Sequence, residues 1–284
     1  IIADRKGRGV ATPRGLQLAA KLGHDADVVA FAYEALDRFH VPRDEHAEVK
    51  ARLLNDREQQ VQERIARFAE PGQKVSLKAV WEKDIVRWVN KRCASGAYQA
   101  VIKTGSNTET PVHSSTDWQL LRECPVPVLI VAEKKWHRTK PVLVALDVGS
   151  SVKTKRALNH KLIAAGKAMA EALGVELEII TAVEIPAFLK DLDLIDPASY
   201  TAEAREEMTP HLRELAEAHN IPEARFLCKR GPVEKVITSR AAKVRAQIVV
   251  MGTVGRTGVK ARLLGNTAEK VLRHMKTDVL AIKP

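Results

Sequence analysis

The sequence predicts an α/β protein of two similar domains, each a five-stranded parallel sheet with helices on both faces. Three observations predict it. Strand-length apolar runs alternate with amphipathic helical stretches along all 284 residues, the pattern of successive βαβ units with right-handed crossovers. The same order of runs then begins again after about 145 residues. At the ends of the two copies, DWQLLRECPVPVLIVA (117–132) lies against AEKVLRHMKTDVLAIK (268–283) almost residue by residue. The third observation is a glycine-rich connection between a buried strand and a helix in the second copy.

Each element has its own signal. Ile1-Ile2-Ala3 reads as the end of a strand cut by the start of the sequence, closing at Asp4. A helix from about Pro13 to Leu22 opens on proline and stops at Gly23, as helix ends prefer. Val28 to Tyr33 is a second strand. From Asp44 to Ala69, Val49, Leu53, Val61, Ile65 and Phe68 recur at helical spacing, which makes one apolar stripe. Lys74 to Trp81 is a strand, Asp84 to Ala94 a helix with Ile85, Trp88 and Val89 inward, and Ala100 to Ile102 a strand. A short helix from Asp117 to Glu123 and a strand from Pro127 to Val131 end the copy.

The polar stretch Glu133 to Lys140 divides the chain into expected domains at 1–135 and 140–284. Pro141 to Asp147 is again a strand ending on aspartate. A helix from about Lys155 to Leu173 stops at Gly174, and Leu177 to Val183 is a strand. Ala198 to His219 is a helix with Met208, Leu212 and Leu215 inward. Arg225 to Cys228 is a strand, Pro232 to Lys243 a helix, Ile248 to Met251 a buried strand, and Val279 to Ile282 the last strand.

Between Met251 and the helix carrying Ala268, Val271, Leu272 and Met275, the chain reads GTVGRTGVKARLLGNTAEK. Four glycines, Gly252, Gly255, Gly258 and Gly265, sit on one short connection, and clustered glycine implies close approach of backbone to something. The loop leads into the first turn of a helix, where unpaired N–H groups and the dipole favour an anion. Arg256, Lys260 and Arg262 add positive charge, so phosphate is the expected guest. The competing use is structural: Asn266 capping the helix, with Glu269 completing a capping box. Capping leaves Gly252, Gly255 and Gly258 unexplained, which favours the ligand.

The spacing glycine, two residues, glycine, nine residues, glycine, followed by Asn266-Thr267, resembles that of the ATP-binding members of the universal stress protein family. The phrases GTVGRTG, LLGNTAE and TDW, and the tandem organisation with one degenerate half, resemble the two-domain members. The resemblance implies flavodoxin-like domains of the adenine nucleotide alpha hydrolase-like kind. It implies ATP or another adenine nucleotide as cofactor, accompanied by Mg2+. Gly252, Thr253, Gly255, Arg256, Gly258, Gly265, Asn266 and Thr267 would line the phosphates and ribose, and Asp147 and the backbone of Val183 the adenosine. Asn266 stands where the family usually has serine or threonine. The two halves would form an intramolecular pseudo-dimer, with a further homodimer open. The first half has Thr104-Gly105-Ser106-Asn107-Thr108-Glu109-Thr110-Pro111 in place of the glycine loop, so one nucleotide per chain is expected.

Composition narrows the rest. The net charge of +11 is spread evenly over both halves without a basic tail, which gives weak polyanion affinity but no specific nucleic-acid reader. Aromatic content of 4% argues against a base-stacking platform. The apolar runs are strand-length, so no membrane span is expected. Three scattered cysteines, Cys93, Cys124 and Cys228, suit a reducing cytoplasm. There is no GxxxxGK[ST], GxSxG or HExxH motif, and no nucleophile beside a base. Glu207, His211 and Glu214 share one helix face, which reads as a solvated face more readily than as a metal site. The expectation is a stress-response nucleotide binder without fast turnover and without catalytic residues. The alternatives are a slow ATPase or self-phosphorylating enzyme, and a metabolite carrier acting through the first half.

Overall fold

The computed structural model describes residues 1–3, 13–105, 115–131, 140–186, 188–189, 195–253 and 265–284. The chain divides into two units, Ile1–His137 and Arg138–Pro284. The first comprises β1 (Ile2–Ala3), α1 (Pro13–Lys21), β2 (Ala26–Ala32), α2 (His46–Phe68), β3 (Val75–Trp81), α3 (Ile85–Cys93), β4 (Val101–Thr104), α4 (Ser115–Glu123) and β5 (Val128–Val131). Its strands lie side by side in the order β3-β2-β1-β4-β5, all pairs parallel.

The second unit comprises β6 (Val142–Leu146), α5 (Lys153–Leu173), β7 (Leu177–Val183), α6 (Pro197–His219), β8 (Phe226–Arg230), α7 (Val233–Val244), β9 (Ile248–Gly252), α8 (Asn266–His274) and β10 (Asp278–Ile282). Its order is β10-β9-β6-β7-β8, again all parallel. The topology is that of the first unit. From β6 the chain moves outward to β7 and β8, then crosses back to β9 and β10. The strand order therefore reverses between β6 and β9, where open parallel sheets leave a crevice beyond the strand C-termini.

Strand burial follows position. Every residue of β6 and β10 is buried, and so are Ile248 to Met251 of β9, because helices cover both faces. The outermost strand β8 is half-buried to exposed. The first unit gathers Leu16, Val28, Ala30, Val61 and Ile65 into one cluster between β2 and its helices.

Helix ends are set by local chemistry. Asp84 caps α3, its carboxylate accepting the Arg87 N–H at 3.0 Å, and Asp196 caps α6 by accepting the Ser199 N–H at 2.7 Å. The stop at Gly174 after α5 uses the left-handed backbone at φ 65°. Gly166, inside α5, has a different reason. A Cβ there would stand 2.3 Å from Val144 Cγ2 of β6, so glycine lets this helix lie against the strand at close range. Further along, His160 Nδ1 of α5 is 3.0 Å from His219 Nε2 at the end of α6.

The helix at residue 210 departs from the sequence expectation. His211 is buried with Nδ1 3.4 Å from the Val148 carbonyl, while Glu207 and Glu214 are exposed. The three do not share one solvated face. No helix among the described residues is long and apolar enough to cross a membrane.

Candidate functional site

A cavity of about 450 Å³ opens at the C-terminal ends of β6, β7 and β9, on the crevice where the strand order reverses. Its floor is apolar: Leu158 and Leu162 from α5, Val233 and Ile237 from α7, Met251 from β9 and Val271 from α8. Polar groups gather at the rim. Asp147, just beyond β6, pairs through Oδ2 with Lys155 Nζ of α5 at 2.8 Å. One turn further along α5, the buried Asn159 clamps the Asp147 backbone. Its Nδ2 donates to the Asp147 carbonyl at 3.0 Å, and its Oδ1 accepts the Asp147 N–H at 3.4 Å. Sequence reasoning found Asp147 but neither of its partners.

Thr253 closes the other side. Its N–H donates to the Ile282 carbonyl at 3.1 Å and its carbonyl accepts the Gly265 N–H at 2.8 Å. Those two bonds draw the ends of the glycine connection together and set the start of α8 at the cavity. The Thr253 side chain is 1% exposed, and its hydroxyl has no hydrogen-bond partner among the described residues. A buried hydroxyl without a partner costs free energy of about 1–3 kcal/mol, so this one stands ready for a group that enters the cavity.

The expected capping box does not form. Gly265, not Asn266, is the N-cap residue of α8, and no side chain caps it. Glu269 instead engages Arg273 at 2.6 Å. Starting the helix one residue earlier puts Asn266 and Thr267 inside the first turn, both exposed and both lining the cavity. The first-turn N–H groups are thus left for a ligand or water.

Of the remaining expected residues, Gly252 lines the cavity for a packing reason. A Cβ there would stand 2.7 Å from Leu158 Cδ2 and 3.8 Å from Leu162 Cδ1. Val183 is buried at the end of β7, and its carbonyl accepts the Gly231 N–H at 3.0 Å. From β7 the cavity is lined by Thr181 and Ala182. Gly255, Arg256 and Gly258, like Lys260, Arg262 and Asp4, lie outside the described residues. No group of three His, Cys, Asp or Glu side chains among the described residues is arranged to hold a metal ion.

The first unit differs at the matching place. Lys103 of β4 pairs with Ile130 of β5 as Met251 of β9 pairs with Ala281 of β10. The Gly105 N–H donates to Val131 as the Thr253 N–H does to Ile282. Lys103 and Thr104 therefore occupy the positions of Met251 and Gly252, and in the repeat Asp117 matches Ala268. Two cavity-lining apolar residues are replaced by an ion pair, Lys103 Nζ to Asp117 Oδ1 at 2.8 Å, with the side chains 1% and 0% exposed.

The universal stress protein family model matches residues 138–283, the whole second unit but for its last residue. The chain belongs to the universal stress protein family. It is 31% identical over 247 residues to universal stress protein E of Salmonella typhi, covering 85% of this chain and 78% of that protein. Against the universal stress protein E homolog of Haemophilus influenzae it is 29% identical over the same 247 residues, with 85% and 80% covered. A Pseudomonas aeruginosa crystal structure assigned to the universal stress proteins superposes with a TM-score of 0.70 at 26% identity, over 100% of this chain and 92% of that one. A universal stress protein from Archaeoglobus fulgidus shares the fold with a TM-score of 0.59 at 21% identity, over 94% and 91% of the two chains. The relatives thus extend over both units of this universal stress protein.

Proposed function

We propose that the C-terminal unit binds an adenine nucleotide, ATP or a close relative, and that the protein acts in the stress response through binding rather than rapid turnover. The observation that carries this is the unpartnered Thr253 hydroxyl, buried in the wall of a 450 Å³ cavity that the uncapped start of α8 also borders. The apolar floor suits a base, and the helix start suits a phosphate. The glycine spacing shared with ATP-binding members of the family points to the same ligand. The residues present fit the nucleotide: Asn266, Thr267 and Thr253 offer donors, while Asp147 offers an acceptor for a hydroxyl or amine. Mg2+ would arrive on the phosphates, because the one carboxylate among the described cavity residues, Asp147, is engaged by Lys155. Among the described residues, nothing at the cavity sets a nucleophile beside a general base, and binding is the proposed activity. Calorimetric titration of ATP, ADP and AMP into the full chain tests it. Saturable binding weakened by Thr253→Val supports the reading, and absence of heat or displacement for all three nucleotides overturns it.

A further inference from the structure

Of the helices that begin at the cavity, α5 begins against the usual rule. Helix starts carry a partial positive charge and favour acidic side chains. The first turn of α5 has no acidic residue and no side-chain cap; it carries Lys153 and Lys155 instead. Adding cations to a positive helix end is unfavourable for folding, and such local conflicts concentrate at binding sites. Of the two lysines, Lys155 lines the cavity, where its Nζ reaches the Asp147 carboxylate at 2.8 Å. An ammonium has three donors; one serves Asp147, which leaves two on a side chain that, like Thr253, lines the cavity. Asp147 and Lys155 cancel in charge while they are paired. When a ligand anion arrives, the lysine, on a flexible stem, can meet it while Asp147 turns to a ligand hydroxyl or amine.

We infer that Lys155 is the specificity-determining residue that makes this cavity prefer a phosphorylated nucleotide to the bare nucleoside. The inference rests on the proposed nucleotide site and adds which side chain senses the phosphate. If it is right, Lys155 contributes to AMP binding through a charge-assisted contact and contributes little to adenosine binding. The alternative role, holding Asp147 in place, affects both ligands alike.

Equilibrium titration of AMP and adenosine into the full-length wild type, Lys155→Met and Lys155→Arg separates these roles, with thermal melting of each variant as the check on folding. Removing one charge-assisted contact lowers AMP affinity about tenfold to a hundredfold, while adenosine affinity changes less than about twofold on the same scale. Lys155→Arg restores most of the preference, and the salt dependence of AMP binding flattens in Lys155→Met. Equal loss of AMP and adenosine affinity in Lys155→Met overturns the inference and makes Lys155 a positioning residue; an unchanged AMP affinity overturns it too, and leaves Lys155 no part in binding. A wild type that binds adenosine and AMP equally well overturns the inference while leaving the adenine site standing. A wild type that binds neither overturns the inference, and one that binds no ATP or ADP either overturns the nucleotide site as well.

Discussion

Lys103 Nζ and Asp117 Oδ1 face each other at 2.8 Å inside the first unit, both side chains shut away from solvent, at the positions filled by Met251 and Ala268 in the second. A buried ion pair is costly to desolvate, and removing one partner takes away the attraction that offsets that cost. Lys103→Met alone is therefore expected to destabilise the protein by about 3–5 kcal/mol. The double variant Lys103→Met/Asp117→Ala, which copies the second unit, should recover most of that. Denaturant unfolding of the wild type, both single variants and the double variant gives the coupling; additive losses would show that the pair is not the source.

Thr253→Val removes a hydroxyl that makes no bond among the described residues and keeps the shape of the side chain. Its thermal midpoint should equal or exceed that of the wild type, since an unsatisfied buried polar group is lost. Nucleotide affinity should fall about fivefold to tenfold if the hydroxyl donates to the ligand. A variant that melts lower would mean that the hydroxyl is satisfied within the fold.

Asn159→Ala breaks both bonds to the Asp147 backbone. The expected outcome is a loss of about 1–3 kcal/mol in stability, from the buried groups left unpaired, together with weaker nucleotide binding. Asn159→Asp keeps the acceptor for the Asp147 N–H but loses the donor to the Asp147 carbonyl, and should not rescue. Titration and melting of the two variants check this, and unchanged affinity in Asn159→Ala would detach the clamp from the site.

Gly252→Ala places a methyl 2.7 Å from Leu158 Cδ2. Overpacking of this kind costs about 1–3 kcal/mol, and adding Leu158→Ala should relieve part of it. Melting curves of the single and double variants decide, and a double variant with purely additive loss would rule out the contact as the cause.

His219 sets a pH dependence. Burial, then the neighbouring His160 and Lys167, hold the His219 imidazole below its ordinary 6.5. Lys167 Nζ also donates to the His219 carbonyl at 2.8 Å. A depressed imidazole binds its proton more readily in the unfolded chain, so stability is complete above about pH 6.5 and is lost as the pH falls below it. His219→Gln should flatten this acid limb, measured as melting temperature between pH 7.5 and 5, and an unchanged limb would assign it to other groups.

Much of the fold was legible because its signals are local. Apolar runs four or five residues long and helical stripes such as Val61-Ile65 show in the sequence without tertiary information. Helix ends were harder. The α8 start falls at Asn266 rather than after it, because Gly265 took the extended cap conformation and Glu269 found Arg273. The site was only half legible. Asp147 and the glycine spacing stand out, but Lys155 and Asn159 read as ordinary helix residues until α5 folds back over the end of β6. Asn159 did leave one trace, a polar residue between Leu158 and Leu162 on the apolar stripe of α5. Lys103 left none: a lysine near a strand end reads as exposed, and its burial depends on a carboxylate that only the fold brings beside it.

Gly166 lies one turn beyond Leu162 of the cavity floor, and it holds α5 against Val144 at a range that no larger residue allows. The same rigid rod carries Leu158 and Leu162 in the floor and Lys155 at the mouth, about three turns away at 1.5 Å per residue. A helix pivoted at one point behaves as a lever, so a methyl at residue 166 would be felt at the opening as a tilt. The aperture of the cavity is thus calibrated by a missing side chain in the protein interior.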